Sequence, residues 1–258
     1  MEKKNVVSIE DRIPKLKQAR KKKANRRLIL YLSIFFFLIT IIVYLQSPLS
    51  HVKTIVINGN IILDDAEIMN ESGLIKNTSI WTINKEKMKT VLEKDPIIQS
   101  ANVKRKLPWT VEITVKEQRL IGFIKQKNDY YPLLANGSVL KDRNQSIPKG
   151  EAPILFSFTE QEQIQKISDE LHKLPHDIIN LISEIHWEPT KTNKNKIILY
   201  MNDGYTVSGT MRDFADKMQL YPSIVSQLDP KKTGIIHIGV GTYFEEYADK
   251  EKEDKKNE

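Results

Sequence analysis

Cysteine is absent from the 258 residues. That absence removes a disulfide framework, thiolate zinc and iron–sulfur sites, and a cysteine nucleophile. Glycine and proline are sparse and scattered, at 10 and 11 residues, so no low-complexity linker interrupts the chain. No G-x-S-x-G, P-loop or dinucleotide-binding fingerprint occurs, and the chemistries those strings serve have no foothold here. A basic body is missing too. The net charge is +7, but residues 1–27 alone carry eleven Lys/Arg against three Asp/Glu, which leaves the remainder at −1. The pI of 9.2 therefore belongs to a tail and does not describe a nucleic-acid-binding domain.

What is present first is an uncharged run, Leu28 to Leu45, reading LILYLSIFFFLITIIVYL. As a helix it spans roughly 27 Å, close to the hydrocarbon thickness of a bilayer. It is apolar on every face, unlike a buried core helix, and Lys21, Lys22, Lys23, Arg26 and Arg27 crowd its start. A cleaved signal peptide would have a shorter apolar region followed by small residues; Tyr44-Leu45-Gln46 supplies none. The run reads as an uncleaved anchor, which excludes a fully soluble cytoplasmic protein. Eleven basic residues precede it, and Lys53 alone falls in the fifteen after it. The N-terminus is therefore expected inside and residues 47–258 outside, with the tail free to touch anionic lipid.

The outer part divides in two. Val52–Asn58 is rich in β-branched residues and ends at Asn58-Gly59-Asn60, a strand and a turn. Asp64 with Glu67 makes a capping signal, and Gly73 a stop. A second helix starts at Asn84, buries Met88, Val91 and Leu92, and ends before Pro96. Two alternating runs follow, Ala101, Val103 and Leu107 on one inner face, then Val111, Ile113 and Val115, joined through Leu107-Pro108-Trp109. The order is β-α-α-β-β. From Arg119 on, a hairpin is expected at Asn136-Gly137, a strand over Pro153–Phe158, and a helix carrying Ile164, Ile167, Leu171 and Leu174. A second hairpin is expected at Asp203-Gly204. One long amphipathic helix is expected from Met211 to Leu228, and a last strand over Ile235–Val240. The final fourteen residues hold seven acids and four bases and read as disordered.

Chemistry is hard to find. Ser50-His51-Val52-Lys53, Ser100-Ala101-Asn102 and Lys232-Thr233-Gly234 match, in order, the three strings of penicillin-binding serine acyl-transferases. Ser and Lys at that spacing share a face only on a helix, whereas Ser50 leads into a strand. Two further S-x-x-K strings, at Ser138 and Ser146, arise just as readily by chance. His172 and His176 stand at i, i+4 with Pro175 between them and no third ligand nearby, which favours a surface helix over zinc. Trp81, Trp109 and Trp187 are scattered singly and read as core or rim residues. Asn77, Asn136 and Asn144 open glycosylation-type triplets, which matter only in a secretory eukaryote. No cofactor, metal or small-molecule substrate is expected. A binding surface remains: the strand Ile235–Val240, with Tyr243 and Phe244 just beyond, fits an open sheet edge. Pairing on both sides fits the same residues equally well.

The parts in this order resemble the FtsQ/DivIB family of bacterial cell-division membrane proteins. Val56-Ile57-Asn58-Gly59-Asn60 is similar to the opening of that family's POTRA domain, and Ser79-Ile80-Trp81-Thr82-Ile83-Asn84 to the segment before its second helix. Val103–Pro108 with Val111–Glu117 resembles its closing hairpin. Gly234–Phe244 resembles the end of its β domain. The resemblance implies an α+β protein: a cytoplasmic basic tail (1–27), one transmembrane helix (28–46), a POTRA-like β-α-α-β-β domain (50–118), a second, β-rich α+β domain (119–242) and a tail (243–258). It further implies a non-catalytic divisome scaffold at the septum, pairing with DivIC/FtsB-like and FtsL-like proteins, with no nucleic acid and no cofactor. The partner would add to the sheet at Ile235, Ile236, Ile238 and Val240, with Tyr243 and Phe244 as aromatic anchors. The rivals are an anchored serine acyl-transferase and a POTRA-bearing translocation component. The latter would need barrel strands, and none is visible.

Overall fold

The computed structural model describes residues 9–148, 152–229, 232–239 and 241–247, with the side chains of the first helix described from Lys21 on. That helix, α1 (Ile9–Gln46), runs unbroken from the basic tail through the apolar stretch. Its apolar side chains face outward on all sides, and the helix is long and apolar enough to cross a membrane. Ser47 and Pro48 end it, and Ser47 caps the single 3-10 turn Pro48–Ser50 that follows.

The chain forms two compact units. One takes Ser100–Val115 together with the chain before Glu93; the other takes Glu93–Gln99 and everything from Lys116 on. The first contains β1 (Thr54–Asn58), α2 (Asp65–Ser72), α3 (Lys85–Leu92) and most of β2 (Ile98–Lys106) and β3 (Thr110–Glu117). These three strands form a sheet in the order β1-β3-β2, with β1 parallel to β3. The expected caps are in place. Glu67 N–H donates to Asp64 Oδ1 at 2.7 Å while Asp64 N–H donates to Glu67 Oε2 at 2.9 Å, so each residue satisfies an orphan amide of the other. Gly73 closes α2 at φ 64°. Asn84 Oδ1 accepts from Lys87 N–H at 2.9 Å at the start of α3. Ile68, Ile80, Leu92, Val111 and Ile113 are fully buried. Leu107 departs from its expected place: β2 stops at Lys106, and Leu107 sits in the turn, 58% exposed.

The second unit is built on one eight-stranded sheet in the order β11-β10-β9-β8-β7-β6-β4-β5. Its strands are β4 (Leu120–Gln126), β5 (Asp129–Leu134), β6 (Ile154–Phe156), β7 (Ile182–Trp187), β8 (Lys196–Met201), β9 (Thr206–Thr210), β10 (Gly234–Ile238) and β11 (Thr242–Glu246). The helices are α4 (Gln161–Lys173), α5 (His176–Ile179), α6 (Phe214–Met218) and α7 (Tyr221–Val225). A single core joins Ile167 and Leu171 of α4, Phe214, Ala215 and Met218 of α6 and Tyr221 of α7 to Ile185, Leu199, Val207, Ile236 and Ile238 of the sheet.

Several expectations change here. The long helix over Met211–Leu228 is two short ones, because Pro222 brings no N–H for a continuing helix and instead opens the first turn of α7. The turn at Asn136-Gly137 exists, but its return limb makes only the isolated bridge Leu133↔Val139. The full hairpin is β4–β5, which turns at Lys127 and Asn128. The chain also does not become a tail at residue 243, since Thr242–Glu246 form β11 and pair along their whole length with β10. The tail beyond Tyr247 lies outside the described residues.

Candidate partner-binding edge

Sheet edges carry unpaired backbone groups, so the two ends of the eight-stranded sheet are where another strand can add. At the β5 end the chain covers its own edge. Tyr130 and Gln145 exchange backbone bonds of 2.9 Å in both directions, Leu140 N–H donates to Pro132 O at 2.9 Å, and Leu134 N–H to Ser138 O at 2.9 Å. At the other end, no strand among the described residues lies beyond β11.

The expected site residues separate accordingly. β10 is not an edge, for it pairs in parallel with β9 and antiparallel with β11, and its backbone has no side left to offer. Ile236 and Ile238 are 0% and 4% exposed and belong to the core. Ile235 faces Glu245 across the β10–β11 ladder and is partly covered. Val240 lies outside the described residues. The two expected aromatics do sit on the edge strand, on opposite faces. Tyr243 is 60% exposed, whereas Phe244 packs against the core and meets Tyr205 edge-to-face, with ring centroids 6.0 Å apart.

The bond pattern tells which backbone groups point outward. Antiparallel neighbours alternate between residues that exchange hydrogen bonds and residues that do not. Gly239 N–H donates to Gly241 O, and Tyr247 N–H to Thr233 O, both at 3.1 Å. With the register His237↔Tyr243 and Ile235↔Glu245, the alternation makes Tyr243 and Glu245 the bonded partners of β10. Thr242, Phe244 and Glu246 are left with N–H and C=O directed away from the sheet. Thr242 and Glu246 are candidate residues that the sequence did not single out; the alternation of Thr242, Phe244 and Glu246 with Tyr243 and Glu245 was the available signal.

β11 is held in place from both faces. The His237 ring stacks on Tyr243 at 4.4 Å, and His237 Nε2 lies 2.8 Å from Glu245 Oε2. Tyr247 donates its hydroxyl to Thr206 Oγ1 at 2.9 Å. Lys232 Nζ meets Glu246 Oε2 at 2.7 Å, and that carboxylate holds the ammonium above the usual lysine range. Gly234 is required where β11 closes down: a Cβ there would lie 2.2 Å from Glu245 O and 2.8 Å from the Phe244 ring. On the face away from the helices a row runs in register across six strands, Tyr243, His237, Ser208, Ile198, His186 and Phe156.

The catalytic strings do not assemble. Ser50 is fully buried, with its hydroxyl donating to Leu45 O (2.9 Å) and Ser47 O (3.0 Å). Lys53 Nζ lies over the Trp109 ring, 5.0 Å from its centroid, a cation–π contact rather than a base beside a nucleophile. Lys232 engages Glu246. His176 Nδ1 bonds Asn180 Nδ2 at 2.9 Å, and no group of three His, Cys, Asp or Glu suited to a metal occurs among the described residues.

Comparison with known proteins agrees with this architecture. Residues 50–118 match the family described as POTRA domain, FtsQ-type, and residues 122–249 match Cell division protein FtsQ/DivIB, C-terminal. The chain is 42% identical to Cell division protein DivIB of Geobacillus kaustophilus (strain HTA426), over 98% of this chain and 97% of that one. It is 40% identical to Cell division protein DivIB of Bacillus subtilis (strain 168), over 98% and 96% of the two chains. A solved structure of the major extracytoplasmic domain of DivIB from Geobacillus stearothermophilus, in its trans isomer, is 37% identical, covers 45% of this chain and 98% of its own, and has a TM-score of 0.40. With two family matches that together take in most of its length, the chain belongs to the FtsQ/DivIB family of bacterial cell-division proteins.

Proposed function

We propose that the protein is a non-catalytic scaffold of the division machinery. It spans the cell membrane once with its N-terminus in the cytoplasm, and its outer domains bind DivIC/FtsB-like and FtsL-like proteins at the septum. The topology reading rests on the basic residues gathered before α1's apolar stretch. The binding reading rests on one observation: the sheet covers its β5 edge with its own chain and leaves Thr242, Phe244 and Glu246 of β11 facing outward. An incoming strand pairs with those three residues. Backbone bonds supply affinity, and alternate side chains along the added strand supply selectivity.

The test is capture of partner proteins from solubilised membranes by the full chain and by a Thr242→Pro, Glu246→Pro variant. Both prolines remove outward N–H groups and leave the β10 ladder intact, a placement that edge strands tolerate. Two lost hydrogen bonds at about 1 kcal/mol each, plus the bulk of the rings, give an expected loss of at least about tenfold in affinity. Thr242→Val with Glu246→Gln keeps both N–H groups and binds as the wild type. A folded proline variant that captures the same partners equally well moves the site off this edge.

A further inference from the structure

Lys21, Lys22, Lys23, Arg26 and Arg27 stand on α1 directly before the apolar stretch, and all five are exposed. At about 100° per residue their directions spread over about 240° of the helix circumference; Ala24 and Leu28 occupy the remaining arc. They are compressed into about 9 Å along the axis, close to the depth of the headgroup layer on one side of a bilayer. No Asp or Glu occurs between Asp11 and Asp64, and none of the five takes part in an ion pair among the described residues.

A protein docked on a helix covers one side of it, whereas lipid surrounds it. Cations spread over two thirds of the circumference, confined to headgroup depth and without a carboxylate of their own chain, match the second arrangement. We propose that this collar binds a shell of anionic phospholipid headgroups, making the anchor selective for lipid charge as well as able to span. The proposal rests on reading α1 as a membrane span.

The experiment uses the full chain in nanodiscs made from equal parts phosphatidylglycerol and phosphatidylcholine, with the lipids that stay attached after release counted by native mass spectrometry. Each cation near an anionic surface favours binding about fivefold, and part of that is lost to screening. Phosphatidylglycerol is therefore expected to be enriched about fivefold or more, with the enrichment falling as sodium chloride is raised. It disappears in the K21Q/K22Q/K23Q/R26Q/R27Q variant and persists in K21R/K22R/K23R. A nanodisc has no inside or outside, so an effect of the substitutions on topology cannot mimic the result. Equal retention of the two lipids by the inserted wild-type chain, or enrichment that survives the glutamine substitutions, would overturn the proposal alone. Failure of the wild-type chain to enter the discs would overturn the reading of α1 as a span and this proposal with it.

Discussion

The imidazole of His237 lies flat on the ring of Tyr243, planes 11° from parallel, on the face of β11 opposite to the one where Phe244 reaches the core. β11 is thereby held by side-chain contacts on both faces while its outer backbone stays open.

Phe244→Ala should loosen that strand. The ring is partly buried and meets Tyr205, so a loss of about 1–3 kcal/mol is expected, below the range for a fully buried Phe. Gly234→Val should cost a similar amount through overlap with Glu245 O and the Phe244 ring. Both are read as a lowered denaturation midpoint of the full chain in detergent. Partner capture should fall in both, because the open backbone is presented only while β11 is seated.

Acid should weaken the β domain through Glu170. Its Oε2 accepts from Ala215 N–H at 2.9 Å at the start of α6, and its Oε1 from Lys173 Nζ at 2.6 Å. Burial pushes this carboxyl up, but the Lys173 ammonium and the Ala215 and Phe214 amides outweigh it and hold the group below the ordinary value of 4.5. A depressed folded pKa gives stability that is complete above the unfolded value and is lost as pH falls through the folded one. Glu170→Gln should therefore be less stable than wild type at neutral pH, by about 1–2 kcal/mol for a charge-assisted bond. The gap should narrow as pH drops below about 4.5. Denaturant midpoints at pH 7 and pH 3.5 test this; a gap that stays constant with pH would contradict it.

Arg119 closes the C-terminal end of α4. Its Nη1 donates to Leu174 O at 3.2 Å, and its Nη2 to Leu171 O and His172 O at 3.1 and 2.9 Å. These carbonyls belong to the last turn and cap of the helix, where Leu174 N–H reaches Leu171 O at 3.2 Å and the helix dipole favours a cation. Arg119→Met should cost about 1–3 kcal/mol. Arg119→Lys should recover only part of that, because an ammonium cannot present the planar fork to three carbonyls at once. Thermal unfolding of the three proteins gives the order.

The first domain after α1 could be read in the sequence because its signals are local. Asp64 and Glu67 cap their own helix, Asn84 caps the next, and Val103, Val111, Ile113 and Val115 alternate on strands with one exposed face. The β domain was less legible. β4 shows no alternation, since Ile121, Phe123 and Ile124 are all buried, and β7 loses its period at the irregularity between Ile182 and Glu184. The candidate site was half legible. Tyr243 and Phe244 could be picked out as aromatics near a terminal strand, but the position of β10 between β9 and β11 is a matter of long-range pairing. β11 itself, with Glu245 and Glu246, has the charge of a tail.

Amide hydrogen exchange along β10 and β11, residue by residue and with and without the proposed DivIC/FtsB-like partner, tests the central claim most directly. Alone, Tyr243 and Glu245 should exchange slowly and Thr242, Phe244 and Glu246 quickly, and the partner should protect those three while β10 stays as it was. Uniform protection of β11 in the free protein, or partner-induced protection that bypasses Thr242, Phe244 and Glu246, would contradict the account.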